Sequence, residues 1–287
     1  MPTPSSDRSR VIVISGGTDG MGRALALARA ARADRVVVIG SNPGKGQRTV
    51  ADANRIGVGG RFDFVQADLS SVADTRAAIR EISSRHQAID ALCLFANRQS
   101  PRRTMTTEGL ERTFALYYLS RYVLSHELEP LLSRSASPVI VNVAGVGATK
   151  GEIHWNDLQL ERGYSTIAAQ LQAGRANDLL GVAYAAQPEN PIRYVLYHPG
   201  FTKSGDLTPL PAAARAFIRV AAALAARTVE QSVQPIHEFI DRPPTAALTA
   251  IDRGKTLPLT LATLNPADAE RLSIATRHLL ANSVARP

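Results

Sequence analysis

The chain has 287 residues, of which 45% are hydrophobic, enough for one large α/β domain with a sizeable core. A single cysteine, Cys93, excludes an internal disulfide framework, and its apolar surroundings predict a buried thiol in a reducing, cytoplasmic protein. The net charge is +8, but the arginines are scattered and aromatics are only 5%, which disfavours a nucleic-acid-binding module. Because no run approaches about 18 apolar residues, we expect no membrane span.

Strand-like and helix-like segments alternate along the chain after a polar, flexible segment over residues 1–9. The predicted strands are 10–15, 35–40, 61–66, 91–95, 138–143 and 192–197, with a last short one at 255–260. The predicted helices are 20–32, 47–55, 72–86, 107–133 and 165–186, with a final helix after Asn265. An Ala/Leu-rich stretch over 203–240 is expected to form helices that cover a substrate pocket.

The strands have the composition of a parallel sheet, because most are continuous apolar runs rather than alternating ones. Strand-then-helix order with right-handed crossovers predicts a doubly wound (Rossmann) parallel sheet with helices on both faces. No repeat or long linker divides the chain, so residues 10–287 are interpreted as a single domain.

A glycine-rich turn directly follows the first predicted strand and precedes the first helix. It reads Ser15-Gly16-Gly17-Thr18-Asp19-Gly20-Met21-Gly22. Glycines allow a tight turn and close approach of the backbone to a pyrophosphate, and the helix N-terminus offers free N–H groups. Residues Gly16, Thr18, Asp19, Gly20, Met21 and Gly22 are therefore the candidate phosphate-binding residues.

The spacing of these glycines resembles that of the short-chain dehydrogenase/reductase family. Further matching segments follow in order: Asp68-Leu69-Ser70-Ser71, residues 108–115, Val139–Val143 and His198-Pro199-Gly200-Phe201-Thr202-Lys203. Residues 153–159 resemble an extended loop of the retinol-dehydrogenase-like branch. The resemblance implies a dinucleotide cofactor, with Asp68 and Leu69 near adenine. It also implies that Ala96, Asn97, Pro199, Gly200 and Thr202 lie toward the nicotinamide.

The end of the second strand indicates which dinucleotide is preferred. NAD-binding members carry a carboxylate there for the ribose hydroxyl, and a carboxylate repels the 2′-phosphate of NADP. This chain has Gly40-Ser41-Asn42 and no acid, with Lys45 and Arg48 following. NADP(H) is therefore the predicted cofactor, with Ser41 and Asn42 beside its ribose.

The family's reaction residues are replaced in this chain. Family members use a Tyr-x-x-x-Lys pair on one helix face, with a serine and an asparagine nearby. The landmarks align Gln170 with the tyrosine, Gly174 with the lysine, Gly145 with the serine and Tyr117 with the asparagine. No tyrosine anywhere in the sequence is followed by a lysine four residues later.

Tyr117 and Gln170 are the candidate replacement donors, although each could equally be an ordinary packed or solvated helix residue. Tyr164 and His154 lie on the adjoining loop and are weaker candidates. The six histidines are dispersed, so no metal site is predicted.

Three hypotheses stay open at this point. The first is an NADP(H)-dependent oxidoreductase acting on a small, apolar carbonyl, alcohol or enone. The second is a non-redox enzyme, such as a cyclase, dehydratase or isomerase, using the same pocket. The third is a non-catalytic partner subunit, which would show exposed apolar surface on the 107–133 and 165–186 helices. The family resemblance implies a homodimer or homotetramer.

Overall fold

The computed structural model describes residues 9–200 and 228–284. In the first half of the chain, strands and helices alternate. They are β1 (Val11–Ser15), α1 (Gly20–Ala31), β2 (Arg35–Gly40), α2 (Pro43–Arg55), β3 (Phe62–Gln66), α3 (Val72–Arg85) and β4 (Ala91–Leu94). A composite helix follows, made of α4 (Arg112–Phe114), a π turn (Ala115–Leu119), α5 (Ser120–Glu127) and α6 (Glu129–Leu132).

The second half continues the alternation and ends on a long helix. Its elements are β5 (Val139–Val143), α7 (Thr166–Ala185), β6 (Arg193–His198), α8 (Val229–Asp241), β7 (Leu248–Asp252), β8 (Lys255–Thr256) and α9 (Pro266–Val284). Within the described ranges, no helix is both long and apolar enough to cross a membrane.

One eight-stranded sheet has the order β3-β2-β1-β4-β5-β6-β7-β8. The first seven strands run parallel, and β8 pairs antiparallel with β7. Strand order reverses between β1 and β4, where Val13 pairs with Val37 on one side and Leu92 on the other. Ligands of doubly wound sheets bind beyond the carboxyl ends of the strands at such a reversal. The predicted doubly wound parallel sheet is confirmed.

Helices cover both faces of the sheet, as the continuous apolar strands predicted. Successive side chains of one strand enter different cores: Val13 joins the layer beneath α3, α5 and α7, while Ile12 and Ile14 join the layer beneath α1 and α8. The Cys93 side chain is fully buried in the second layer, and burial raises the pKa of its thiol to about 12. Such a thiol is a packing residue and not a nucleophile at neutral pH.

Two predicted helix starts are wrong by several residues. Helix α2 begins at Pro43, earlier than predicted, because the Asn42 side chain caps it by accepting from the Lys45 N–H. The composite helix begins at Arg112, five residues late. Gly109 is left-handed with φ +72°, and the Glu111 carboxylate accepts from the first free N–H groups of the helix. Local capping thus set both boundaries.

The tail differs from the predicted one. The strand β7, between β6 and β8, was not predicted from the sequence, and the predicted strand at 255–260 is only the two-residue edge strand β8. Leu248-Thr249-Ala250-Ile251-Asp252 alternates weakly and lacks strong strand signals.

The expectation that residues 203–240 cover a substrate pocket is wrong for its last part. Helix α8 packs against α1, with Val233 and Ile236 in the core layer behind the sheet. Residues 203–227 lie outside the described residues.

Candidate active site

A cavity of about 470 Å³ opens at the carboxyl ends of β1, β2, β3 and β4. It is formed where the strand order reverses, which is the expected place for a dinucleotide. The lining includes twelve of the predicted cofactor residues: Gly16, Thr18, Asp19, Gly20, Met21, Gly22, Ser41, Asn42, Asp68, Leu69, Ala96 and Asn97. The structure therefore brings together residues that are up to 81 positions apart in the sequence.

The glycine turn is shaped for close backbone approach. Gly16 has φ +70°, and a Cβ there would lie 2.9 Å from the Ala96 nitrogen. A Cβ on Gly22 would overlap the Gly16 carbonyl oxygen, so the first turn of α1 packs directly on the loop. Any side chain at these positions would fill the cradle or push the helix away. The geometry fits a pyrophosphate held by the N-terminus of α1.

The residues that directly follow β2 include no acid, but Lys45, in the first turn of α2, forms an ion pair. Ser41 is exposed, and Asn42 caps α2. The Lys45 ammonium forms an ion pair with the carboxylate of Asp19. The same carboxylate accepts a hydrogen bond from the Gly20 N–H and so caps α1. Arg48 is exposed and does not line the cavity. Of the two basic residues considered for a 2′-phosphate, only Lys45 is therefore placed at the site.

Asp68 lies at the β3 side of the cavity and is held by its neighbours. Its carboxylate accepts from both the N–H and the hydroxyl of Ser70 and pairs with Arg112 at 3.1 Å. Arg112, Arg98 and Ser100 line the cavity, and the sequence reasoning missed them as site residues. The position of Arg112 at the start of the helix after β4 was the available signal. With Lys45, the two arginines give the cavity lining three cations against the two carboxylates of Asp19 and Asp68.

Of the three residues after β6 that were predicted to lie toward the nicotinamide, the structure describes two. Pro199 and Gly200 follow β6, and Gly200 is left-handed with φ +86° and a Cβ direction toward Arg253. Neither residue lines the cavity, and Thr202 lies outside the described residues. His198, just before them, bonds through Nδ1 to Asp252 at 2.7 Å, which ties the end of β6 to β7.

Gln170 is hydrogen-bonded to Asn97, which lines the cavity. The two amides exchange hydrogen bonds of 3.0 and 3.2 Å, and the Gln170 amide also donates to the Arg98 carbonyl oxygen. This places Gln170 directly beside a cavity-lining residue. Its side chain is half-buried and neutral, so it can donate or accept a hydrogen bond but cannot deliver a proton.

Two glycines, Gly145 and Gly174, occupy the positions that the sequence aligns with reaction side chains of the family. A Cβ built on Gly145, after β5, meets nothing within 4 Å, and neither does one built on Gly174, in the middle of α7. Neither glycine is required by a close neighbour, in contrast to Gly16. A helix-interior glycine costs about 1 kcal/mol relative to alanine. Space for larger side chains therefore exists at both positions.

Tyr117 lies in the π turn over Ala115–Leu119. Its side chain is buried, and a backbone hydrogen bond from Gly145 reaches its hydroxyl. Burial raises the pKa of Tyr117, while Arg121 and the Gly145 hydrogen bond oppose that rise and Asp178 adds to it. The predicted donor is thus close to the aligned serine position but does not line the dinucleotide cavity.

Asp178 is a buried acid that the sequence reasoning missed. Its side chain is 1% exposed, Oδ2 accepts from the Gly147 N–H at 3.1 Å, and Oδ1 has no hydrogen-bond partner. Burial raises the pKa of Asp178 to about 7, although Gly147 and Arg175 oppose the rise. The available signal was its spacing, because Asp178 is four residues after Gly174 on the same helix face.

The weaker candidates have structural partners. The Tyr164 hydroxyl donates to the Ser100 carbonyl oxygen at 2.8 Å, which fixes the loop at the cavity mouth. The backbone N–H of His154 donates to Gln172 Oε1 at 2.9 Å, which fixes its stretch of the loop on α7. Arg175 turns away from the cavity and donates to the carbonyl oxygens of Gly151 and Ala148.

Solved structures with the same fold extend over most of this chain. A protein from Mycobacterium paratuberculosis has a TM-score of 0.72 at 18% identity and covers 96% of this chain and 95% of its own. A short-chain dehydrogenase from Shigella flexneri, crystallised with NADP, has a TM-score of 0.63 at 16% identity and covers 86% and 97%.

Sequence relatives are more limited in extent. The oxidoreductase AN1596 of Emericella nidulans is 28% identical over 196 residues, 67% of this chain and 58% of that protein. Human polyprenol dehydrogenase is 27% identical over 168 residues, 57% of this chain and 51% of its own length. The chain therefore spans between half and two thirds of the length of these relatives.

The short chain dehydrogenase family model matches residues 10–157, more than half of the sequence. This match, the sheet order and the glycine turn agree: the chain belongs to the short-chain dehydrogenase family.

Proposed function

We propose that this protein is an NADP(H)-dependent oxidoreductase that acts on a small, apolar carbonyl, alcohol or enone with a non-standard proton donor. The observation that carries the proposal is the glycine-cradled cavity at the reversal of strand order. Retention of close-packed glycines at Gly16 and Gly22 is expected where a pyrophosphate must approach the backbone. A protein that had lost its cofactor would have no need of this cradle.

The residues present fit NADP(H) in named places. The N-terminus of α1 would hold the pyrophosphate, Asp68 and Leu69 would contact adenine, and Lys45 would face the 2′-phosphate after leaving Asp19. Bound NADPH would supply a hydride to a carbonyl carbon. Two neighbours of this fold, from Shigella flexneri and Escherichia coli, were solved with NADP and NADPH, which supports the choice.

Residues on two helices would orient the substrate and supply the proton. Gln170, held by Asn97, would orient a substrate oxygen by a neutral hydrogen bond. Tyr117 would supply the proton, because among the candidates it alone combines an ionisable hydroxyl with a place at the Gly145 loop. Pro199, Gly200 and Thr202 would border the nicotinamide.

The test of this function is isotopic. NADPH carrying deuterium on the transferable position is incubated with the protein and a panel of apolar aldehydes, ketones and enones, and the products are examined by mass spectrometry. We expect deuterium in at least one alcohol or saturated ketone, and loss of that product in Tyr117→Phe. Tight NADPH binding with product but no deuterium would exclude the oxidoreductase.

A non-redox enzyme is the second candidate. The open space at Gly145 and Gly174 favours it, because a substrate group could occupy the room that the family gives to side chains. Such an enzyme converts substrate without consuming NADPH, so the isotopic experiment separates the two candidates.

The partner-subunit hypothesis expected exposed apolar surface on the helices over 107–133 and 165–186. In the part of the chain that the structure describes, these helices are largely buried, and α9 packs along α7. The Tyr118 hydroxyl bonds to Thr276 of α9 at 2.7 Å. Ile167, 72% exposed, is the large apolar side chain of α7 that does face solvent. A homodimer or homotetramer stays a proposal for which size-exclusion chromatography with light scattering is the test.

The cofactor preference gives a direct prediction at Ser41. Ser41→Asp places a carboxylate at the end of β2, where it repels a 2′-phosphate and can accept from a ribose hydroxyl. We expect NADPH affinity to fall by about tenfold or more, with NADH affinity unchanged or improved. Ser41→Asn is the matched neutral control and should bind NADPH as the wild type does. Equal NADPH affinity in both variants would contradict the placement of the 2′-phosphate.

A further inference from the structure

Arg121 is a cation buried inside the fold without a carboxylate. Its side chain is fully buried, and it forms no ion pair with any residue in 9–200 or 228–284. The guanidinium donates to Asn142 Oδ1, to the Val143 carbonyl oxygen at 2.9 Å and to the Ala96 carbonyl oxygen at 3.0 Å. Its Nε atom has no acceptor. Burying a charge without an opposite charge is unfavourable, so such a residue points to a functional reason.

The position of Arg121 relative to Tyr117 supplies that reason. Arg121 follows Tyr117 by four residues, and its Cζ lies 4.7 Å from the centre of the tyrosine ring. The same guanidinium contacts the carboxyl ends of β4 and β5, at Ala96 and Val143, and Ala96 lines the cavity. A cation held there favours the ionised form of a nearby phenol.

The family places a tyrosine and a cation four residues apart on the helix after β5, whereas this chain has Gln170 and Gly174 there. The composite helix after β4 carries a tyrosine and an arginine at that same spacing, on a helix that contacts α7. We infer that Arg121 is the positioning cation of a relocated Tyr-x-x-x-Arg pair, which stabilises the phenolate that Tyr117 leaves when it gives up its proton. This inference rests on the proposed function only for the identity of the reaction.

The step balances as an ordinary carbonyl reduction. Bound NADPH would supply a hydride to the substrate carbon, while the O–H bond of Tyr117 would break and a new O–H bond would form on the substrate oxygen. The phenolate stays beside Arg121 until solvent or a neighbouring acid reprotonates it. Asp178 is the acid that faces Tyr117 from α7, and Gly145 faces it from the loop after β5.

The experiment reads the ionisation of Tyr117 without substrate or cofactor. The protein is labelled with a fluorinated tyrosine, whose phenol is more acidic, and its ¹⁹F NMR spectrum is followed against pH. Tyr117→Phe assigns the resonance, and Tyr164, which does not feel Arg121, is the internal control. Arg121→Met should move the Tyr117 midpoint upward by about one pH unit or more, while Arg121→Lys should keep it close to wild type.

Asn142→Asp is the second variant, because it gives Arg121 a carboxylate partner at nearly the same side-chain volume. It also removes the amide donor to Asn177 and Tyr194, so its fold is checked first, and the Tyr117 midpoint should again move upward. An unchanged midpoint in the folded Met or Asp variant overturns the inference. A failure of the proposed function would appear elsewhere, as missing NADPH binding or deuterium transfer with the Tyr117 titration intact.

Discussion

Gly145→Ser, Gln170→Tyr and Gly174→Lys, introduced together, should raise the rate of hydride transfer by on the order of 10²-fold or more. The structure leaves room for this change, because Cβ atoms on both glycines meet nothing within 4 Å. The new tyrosine and lysine would stand four residues apart on one face of α7, where the family has them. The measurement is single-turnover oxidation of NADPH with the best carbonyl substrate from the panel.

The matched control is the triple variant Gly145→Ala, Gln170→Phe and Gly174→Met. It adds similar bulk and the same helix stabilisation at position 174, but no group that can donate a proton. Because the introduced lysine would lie four residues before Asp178, adding Asp178→Asn to both triples keeps its ammonium from pairing there. Equal rates in the two triples would mean that these three positions are not at the reaction centre.

Asp178→Asn should remove a large dependence of stability on pH. The folded-state pKa of Asp178 is about 7, above the ordinary value of 3.8, because the carboxyl is buried. The unfolded chain loses this proton first, so the stability contribution is complete below about pH 4 and is lost as pH rises through 7. The shift corresponds to about 4 kcal/mol in total, more than half of it between about pH 5 and pH 8.

Urea unfolding of wild type and Asp178→Asn across that pH range measures the effect. Asparagine keeps the acceptor for the Gly147 N–H and stays neutral, so the variant should be the more stable protein at about pH 8, by on the order of 2 kcal/mol or more. Other titrating groups, such as Asp34 and His237, cancel in the difference between the two proteins. Parallel stability curves for the two proteins would show that Asp178 is ionised in the fold.

The fold was readable from the sequence because its signals are local and repeated. Continuous apolar runs such as residues 35–40 identify doubly covered strands, and the glycine turn fixes where the first strand meets the first helix. β7 was missed because Leu248–Asp252 becomes a strand only through pairing with β6, a tertiary effect that local propensity does not encode. Helix α8 likewise shows an apolar face, but the sequence does not say that α1 covers it.

The candidate site was likewise predictable from the sequence in part only. The cavity residues follow from motif and strand position, since the carboxyl ends of parallel strands meet at one edge. Spacing alone did not single out Arg121 or Asp178, because the burial of a charged group with one unsatisfied polar atom is a property of the packed structure. Arg121 stands four residues after Tyr117, but only a lysine was expected at that spacing.

The central prediction is that this chain keeps a dinucleotide cradle while its reaction residues differ from those of the family. Calorimetric titration of the wild-type protein with NADPH and NADH tests this prediction most directly. Gly16→Ala and Gly145→Ala are the paired variants, because the first Cβ would strike Ala96 and the second would meet open space. We predict that NADPH binds at least about tenfold more tightly than NADH. We predict also that Gly145→Ala keeps this affinity and Gly16→Ala loses it. A wild-type protein that binds neither dinucleotide would contradict the account.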